Sequence, residues 1–172
     1  RGYYLVGSGG EVYHLGPAHF YGLRAGYQLG APVKALGVTV DGEGYYLVTS
    51  AGNVYNYGDA HFYGSTATRH LPAPISAFAV TPDGKGYWLA GQAGDVYAFG
   101  DARVYSALQL DPNIRPVVAM VPSPSGHGYY LVSSKGNVYN FGDAHFYGSE
   151  AGAALPHPIT AAALARGGRG YY

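Results

Sequence analysis

Residues 2–22, 44–65, 86–106 and 128–149 are four versions of one phrase: GYYLVGSGGEVYHLGPAHFYG, GYYLVTSAGNVYNYGDAHFYGS, GYWLAGQAGDVYAFGDARVYS and GYYLVSSKGNVYNFGDAHFYGS. Their opening glycines, Gly2, Gly44, Gly86 and Gly128, stand 42 residues apart without insertion or deletion, and Gly170 begins a fifth copy. A strict period of this length limits the fold severely. Each repeat is one supersecondary unit that cannot bury its own apolar face, so neighbours have to stack.

One period divides into short strands and turns. Residues 75–81 (ISAFAVT) predict a first strand, and Pro82-Asp83-Gly84-Lys85-Gly86 a turn. Residues 87–91 (YWLAG) predict a second strand, followed by a hairpin turn in which Gly94 takes positive φ at no steric cost. Residues 96–99 predict a third strand, and residues 102–106 a fourth after the Gly100-Asp101 turn. Four short antiparallel strands recurring at this period are the signature of a β-propeller blade. The 28 Gly and 11 Pro of the 172-residue chain supply the turns. Strands such as Tyr45-Tyr46-Leu47-Val48 are apolar on both faces, as blade-on-blade packing requires.

Side-chain size runs along each period. First strands carry small residues (Ala35, Gly37, Ala77, Ala79, Ala119, Ala161), while later strands carry Tyr55, Tyr57, Phe62, Tyr63, Tyr139, Phe141, Phe146 and Tyr147. Small residues suit a crowded axis and large rings fill the diverging wedge toward the rim. Pro32, Pro74, Pro116 and Pro158 close linkers 23–31, 65–73, 107–115 and 149–157, which differ most between periods. Variable loops on a regular scaffold are where partner contacts belong. First strands fall near 33–40, 75–81, 117–121 and 159–165. The expected fold is all-β: a propeller of four four-stranded blades spanning residues 1–172, closed by pairing 159–165 with 3–7 so that both termini complete one shared blade. The final Arg169-Gly170-Tyr171-Tyr172 repeats residues 1–4 and competes for that place, so a larger ring of two chains and an open segment of a longer array stand as alternatives.

Composition narrows the function. Charged residues are 12% of the chain and cancel to zero net charge, so no basic patch selects nucleic acid. No apolar run approaches a membrane-spanning length, so membrane insertion is not expected. There is no cysteine, hence no disulfide framework or thiol chemistry.

The units GYYLVTSAGNVYNYGDAHFYGS and GYWLAGQAGDVYAFGDARVYS resemble a repeat family of secreted and cell-surface actinobacterial proteins, written roughly GYWLV-x-x-x-G-x-VF-x-FGDA-x-FYGS. The likeness covers essentially the whole chain. More remotely, the Pro-Asp-Gly turn after the first strand is similar to WD-type propellers. The resemblance implies an extracellular, often cell-wall-associated setting, commonly alongside cell-wall hydrolases, and transfers no functional residues. Pro17 replaces the Asp of the other units, and Arg103 and Val104 replace their His and Phe.

Asp-x-His recurs at Asp59/His61 and Asp143/His145, and residues two apart on a strand share a face. Such a pair can ligate a metal or form a base and its orienter. Against this, the first unit lacks the Asp, the third lacks the His, and copies in a ring lie far apart. A turn Asp also ordinarily bonds nearby amides. The three Glu (Glu11, Glu43, Glu150) do not recur in register, and glycoside hydrolysis needs two facing carboxylates. Gly7-Ser8-Gly9 reads as a hairpin turn, with no nucleophile elbow. No metal or other cofactor is called for. Tyrosine is the stronger lead, since its flat face and polar edge suit sugars and protein hot spots. The candidates are Tyr27 in a linker and the in-register Tyr13, Tyr55, Tyr97 and Tyr139, set against their role as wedge filling. The expected function is a non-catalytic binding or scaffold module contacting glycan or protein through rim loops, with self-association through the terminal strands. The alternatives are a hydrolase with a site at the central axis and a purely structural assembly element.

Overall fold

The computed structural model describes residues 2–22, 28–105 and 116–172, and every regular element among them is a strand. β1 (Tyr3–Val6) and β2 (Val12–Leu15) form a two-stranded sheet. Three three-stranded sheets follow: β3 (Val33–Val38), β4 (Gly44–Thr49) and β5 (Val54–Gly58); β6 (Ile75–Val80), β7 (Gly86–Gly91) and β8 (Val96–Gly100); β9 (Val117–Pro122), β10 (Gly128–Ser133) and β11 (Val138–Gly142). All pairings are antiparallel and the register repeats from sheet to sheet: Leu47 faces Leu36 and Tyr55, Leu89 faces Phe78 and Tyr97, and Leu131 faces Met120 and Tyr139.

The central strands β4, β7 and β10 are buried along their whole length. The core is a series of layers between consecutive sheets. Tyr4, Val6 and Val12 pack on Tyr45 and Leu47. Tyr46, Val48 and Val54 pack on Tyr87 and Leu89. Trp88, Ala90 and Val96 pack on Tyr129 and Leu131. Odd and even residues of one strand thus serve different neighbours, which explains the unbroken apolar runs. The inner strands β3, β6 and β9 lie side by side, and their small residues allow it. An alanine Cβ at Gly37 would stand 2.4 Å from the Phe78 ring.

Each inner strand has an irregular register at the same place, between Val33 and Ala35, between Ile75 and Ala77, and opposite Val132/Ser133 in the last sheet. The extra residue is a β-bulge that bends the strand. It accompanies a repeated backbone clasp. Val33, Ile75, Val117 and Ile159 donate their N–H to the carbonyls of Ser8, Ser50, Gln92 and Ser134 in the hairpin turn of the preceding sheet, at 2.8 to 3.1 Å. Those same turn residues Ser50, Gln92 and Ser134 donate to the carbonyls of Pro32, Pro74 and Pro116, at 2.8, 2.9 and 2.9 Å. Proline thus spends only its carbonyl, and its missing N–H leaves nothing unpaired.

Two expectations need correction. The fourth strand is not formed: residues 60–64, 102–105 and 144–148 pair with no ladder, so the sheets have two strands in the first repeat and three in the others. These segments are pinned instead by aromatic side chains. Within a repeat, Tyr4, Tyr46 and Tyr130 donate their hydroxyls, and Trp88 its indole N–H, to the carbonyls of His19, His61, His145 and Arg103, at 2.7 to 3.0 Å. From the next repeat, Tyr45 and Tyr87 donate to the carbonyls of Gly22 and Gly64 at 2.7 and 2.6 Å, and Tyr171 does so to Gly148. These side-chain bonds take the place of ladder bonds at the backbone groups they reach.

The termini also do not share a blade. β1 pairs with β2 alone, and the segment 159–165 pairs with the last residues of its own repeat through Leu164 and Tyr171. That register copies Pro122 with Tyr129, Val80 with Tyr87 and Val38 with Tyr45, one, two and three sheets back. Among the described residues no strand pairing joins the two ends of the chain.

Candidate functional site

The linkers are tied to the hairpin turn of the repeat they leave. Thr66 donates its N–H to the Gly52 carbonyl at 3.1 Å and Glu150 to that of Gly136 at 3.0 Å. Gly52 takes φ 81° and Gly136 φ 82°, so an L side chain would be strained at both turns. Beyond these anchors the linkers diverge. In 65–73 the Arg69 guanidinium lies 5.9 Å from the ring centroids of both Tyr97 and Phe99. In 149–157 the Glu150 carbonyl takes the Ala153 N–H at 3.0 Å and the chain then runs on to Pro156 and Pro158.

Against this last linker lies a groove of about 750 Å³ lined by Ser134, Lys135, Asn137, Tyr139, Pro156 and His157, among others. It offers a cation, an amide, an imidazole and one aromatic ring. Such a mixture can hydrogen-bond a polar ligand while stacking against its flatter face.

The predicted tyrosines occupy unlike environments. Tyr139 is half-buried and lines the groove. Tyr97 is covered by Arg69, and burial pushes its hydroxyl pKa up. Tyr55 donates to the Leu29 carbonyl at 3.2 Å and so holds the linker ahead of its own sheet. Tyr13 is 60% exposed on the outward face of β2. Tyr27 lies outside the described residues.

Asp-x-His is brought to the surface but not into one site. The Asp143 carboxylate accepts from Ser123 Oγ at 2.7 Å and from Ser125 Oγ, and these bonds hold its pKa below the usual carboxylate range. His145 instead meets the edge of Tyr147 at 4.8 Å between ring centroids, and His61 meets Tyr63 in the same way at 4.7 Å. Asp59 stands over Gly44, where any Cβ would be 2.4 Å from its Oδ1. Asp59 and Asp101 share hydrogen bonds with the turn residues Asp41 and Asp83. Bonds from the Glu43 amide and the Thr39 hydroxyl lower Asp41, and the Thr81 hydroxyl and Lys85 amide lower Asp83. Asp101 is raised, first by desolvation and then by the bond to Asp83 and its charge. Among the described residues no group of three His, Cys, Asp or Glu is placed to hold a metal ion.

Sequence reasoning missed the groove partners Lys135, Asn137 and His157. Lys135 and His157 do not recur in register, which is the one signal that marks them, whereas Asn137 recurs as Asn53. It also missed the tyrosine hydroxyl clamps, whose constant separations of 15 and 23 residues between aromatic and carbonyl were open to inspection.

No protein-family model matches the chain, and no curated protein matches it. Solved structures do. Sqt1 of Chaetomium thermophilum, solved bound to the N-terminus of the ribosomal protein L10, superposes with a TM-score of 0.61 at 16% identity over 94% of this chain and 48% of that one. Sqt1 solved by itself gives 0.63 at 17% identity, over 94% of this chain and 46% of that one. The fold is therefore that of a β-propeller, and the chain spans about half the length of these neighbours.

Proposed function

We propose that the chain is a non-catalytic, extracellular binding module that holds a protein ligand at its rim. The observation that carries this is the groove of Tyr139, Lys135, Asn137 and His157 beside the linker 149–157. Lys135 and His157 have no counterpart in the other repeats, as expected of groups set by function rather than by blade packing, while Tyr139 and Asn137 recur in register as Tyr55 and Asn53. The fold adds support, because the Sqt1 propeller was solved with a protein segment bound. The polar residues that do recur are occupied in turns: Asp143 serves Ser123 and Ser125, while His145 packs on Tyr147. The extracellular setting rests on the repeat's resemblance to secreted actinobacterial proteins. Self-association through the terminal strands belongs to the same scaffold role.

A glycan ligand is the second reading, favoured by the tyrosine ring standing among hydrogen-bonding side chains in an open groove. Peptide and glycan arrays probed with the labelled chain separate the two. Protein binding predicts signal on peptides that Tyr139→Ala and Lys135→Ala reduce at least tenfold. Signal confined to glycans would replace the protein reading. Silence on both arrays, or binding indifferent to the two substitutions, would remove the groove from consideration.

A further inference from the structure

The fourth hairpin turn differs from the other three in charge, and the difference falls inside the groove. Lys135 stands where the other repeats have Gly9, Ala51 and Ala93, and Asn137 where they have Glu11, Asn53 and Asp95. Ala31 and Ala73 hold the place of His157 in the first two linkers. The first and third turns therefore carry a carboxylate at this point, and the second an amide without a cation. Only the fourth sets a cation beside a neutral amide.

The groove that results is a set of donors. Among the described residues no Asp or Glu lines it. Lys135 is exposed, and its Nζ makes no ion pair with a described residue. The Ser134 hydroxyl and the His157 ring likewise have no partner among the described residues. Asn137 donates from Nδ2 to Ser133 Oγ at 3.1 Å and is held in place by it. Glu150, the acid of the same linker, lines a separate cavity beside Tyr171. The linker is just as open where a further sheet follows it. Leu71 is half-buried and Pro72 and Pro74 are exposed, the same pattern as Leu155, Pro156 and Pro158, although β6, β7 and β8 come after Pro74.

We propose that the groove takes an acidic segment of the protein ligand, with an Asp or Glu carboxylate of that segment between Lys135 Nζ and the His157 ring. The inference rests on the groove reading of the proposed function and adds the charge of its ligand. A carboxylate offers only acceptors, and the free groups here are all donors. Bonds between an ammonium and a carboxylate are also stronger than those between neutral partners. A basic segment would bring its cations up to Lys135 and meet no carboxylate in return. Seven consecutive linker residues, 152–158, line the groove, which suits a chain lying alongside rather than one that ends there. The Tyr139 ring is the flat wall against which the stem of the acidic side chain packs. Asp95 and Glu11 forbid the same ligand at the third and first turns by like charge.

Asn137→Asp is the discriminating variant, because it puts the carboxylate of the third repeat into the fourth at nearly constant shape. Ser133 Oγ, which now accepts from Asn137, can turn to donate to the new carboxylate, so the hairpin keeps its bond. Fluorescence anisotropy is read on short, C-terminally amidated peptides that contain Asp and Glu, on twins with Asn and Gln in their place, and on twins with Lys. Acidic peptides are expected to bind about tenfold tighter than their amide twins and to weaken as salt is raised. That preference should vanish in Asn137→Asp and in Lys135→Met, and Lys135→Glu should turn it toward the Lys twins. Lys135 is exposed, so its variants keep the test open even if Asn137→Asp misfolds. Equal binding of acidic peptides and amide twins overturns the inference, as does a preference that survives both Asn137→Asp and Lys135→Met. Preference seen only with a free C-terminus would replace the side-chain carboxylate by a chain end. Binding indifferent to charge but reduced by Tyr139→Ala leaves the groove a protein site and removes the acidic ligand alone. Silence of every peptide removes both.

Discussion

At the level of single residues, tyrosine does two jobs in this chain. Its ring fills the space between blades, and its hydroxyl replaces a missing strand ladder. Tyr87 shows the second job most fully. Its hydroxyl donates to the Gly64 carbonyl at 2.6 Å and accepts from the amides of Gly64 and Tyr63 at 3.0 and 3.1 Å. Tyr46 bonds only the His61 carbonyl, and burial pushes its pKa up to about 12. Tyr87→Phe leaves three backbone groups short of a partner and is expected to cost about 1–3 kcal/mol, whereas Tyr46→Phe costs about 0.5–1.5 kcal/mol. Urea titrations of the two variants test the order, and equal losses would refute the clamp. A second prediction concerns the paired carboxylates. The fourth repeat has Ser125 where the third has Asp83, and Asp143 is lowered while Asp101 is raised. A raised folded pKa contributes stability below the unfolded value and loses it as pH climbs through the folded one. Asp101 therefore opposes Asp83, whose lowered pKa contributes above its unfolded value and is lost in acid. Asp83→Ser removes the shared bond and the like charge, so the Asp101 midpoint moves down, though not fully, because desolvation is its first cause. Carboxyl carbon shifts followed by NMR through the acid range check this, and an unmoved Asp101 would mean that burial acts alone.

At the level of elements, the turns carry the constraint. Gly42 and Gly52 have nearly the same φ, 83° and 81°, in unlike surroundings. A Cβ at Gly42 meets nothing within 4 Å, while one at Gly52 would stand 1.8 Å from Thr66 Oγ1. Gly42→Ala should therefore lose only the backbone term of about 1–2 kcal/mol. Gly52→Ala must also break the anchor from Thr66 to the Gly52 carbonyl, and melting temperatures should fall further for it. Similar melting of the two would show that the linker anchor is weak. The legibility of the strands follows from the same chemistry. First, second and third strands were readable because each has a turn residue at both ends and an apolar run between. The segment after Gly100 carries the same aromatic and small residues, so it too reads as a strand. What removes it from the sheet is the Trp88 indole from within the repeat, as Tyr87 of the next repeat does for Gly64, and no local pattern reports such distant donors. The groove at Tyr139 was half legible for a related reason. Register singles out the tyrosine, but the packing of Pro156 and His157 against it depends on how the linker turns.

For the molecule as a whole, stability should be close to a sum of repeats and the layers between them, because among the described residues each sheet packs mainly on the sheets next to it. Closure was the part of the fold that sequence could not decide. The terminal segments carry identical residues, Arg1-Gly2-Tyr3-Tyr4 and Arg169-Gly170-Tyr171-Tyr172, and identity of sequence cannot say which copy sits beside Leu164. The ladder can. By the register of Ala163 with Tyr172, the amides of Tyr4 and Val6 point to the free edge of β1, while those of Tyr46 and Val48 are bonded to β3. β7 has a blade on each side and both edges paired, so its amides should exchange slowest, at the cost of opening the whole array of sheets. Tyr4 and Val6, whose amides face an edge that no described strand pairs, should exchange far faster than Tyr46 and Val48, which are bonded to β3. Hydrogen exchange followed amide by amide checks the order, and equal protection of the two pairs would mean that the edge of β1 is covered.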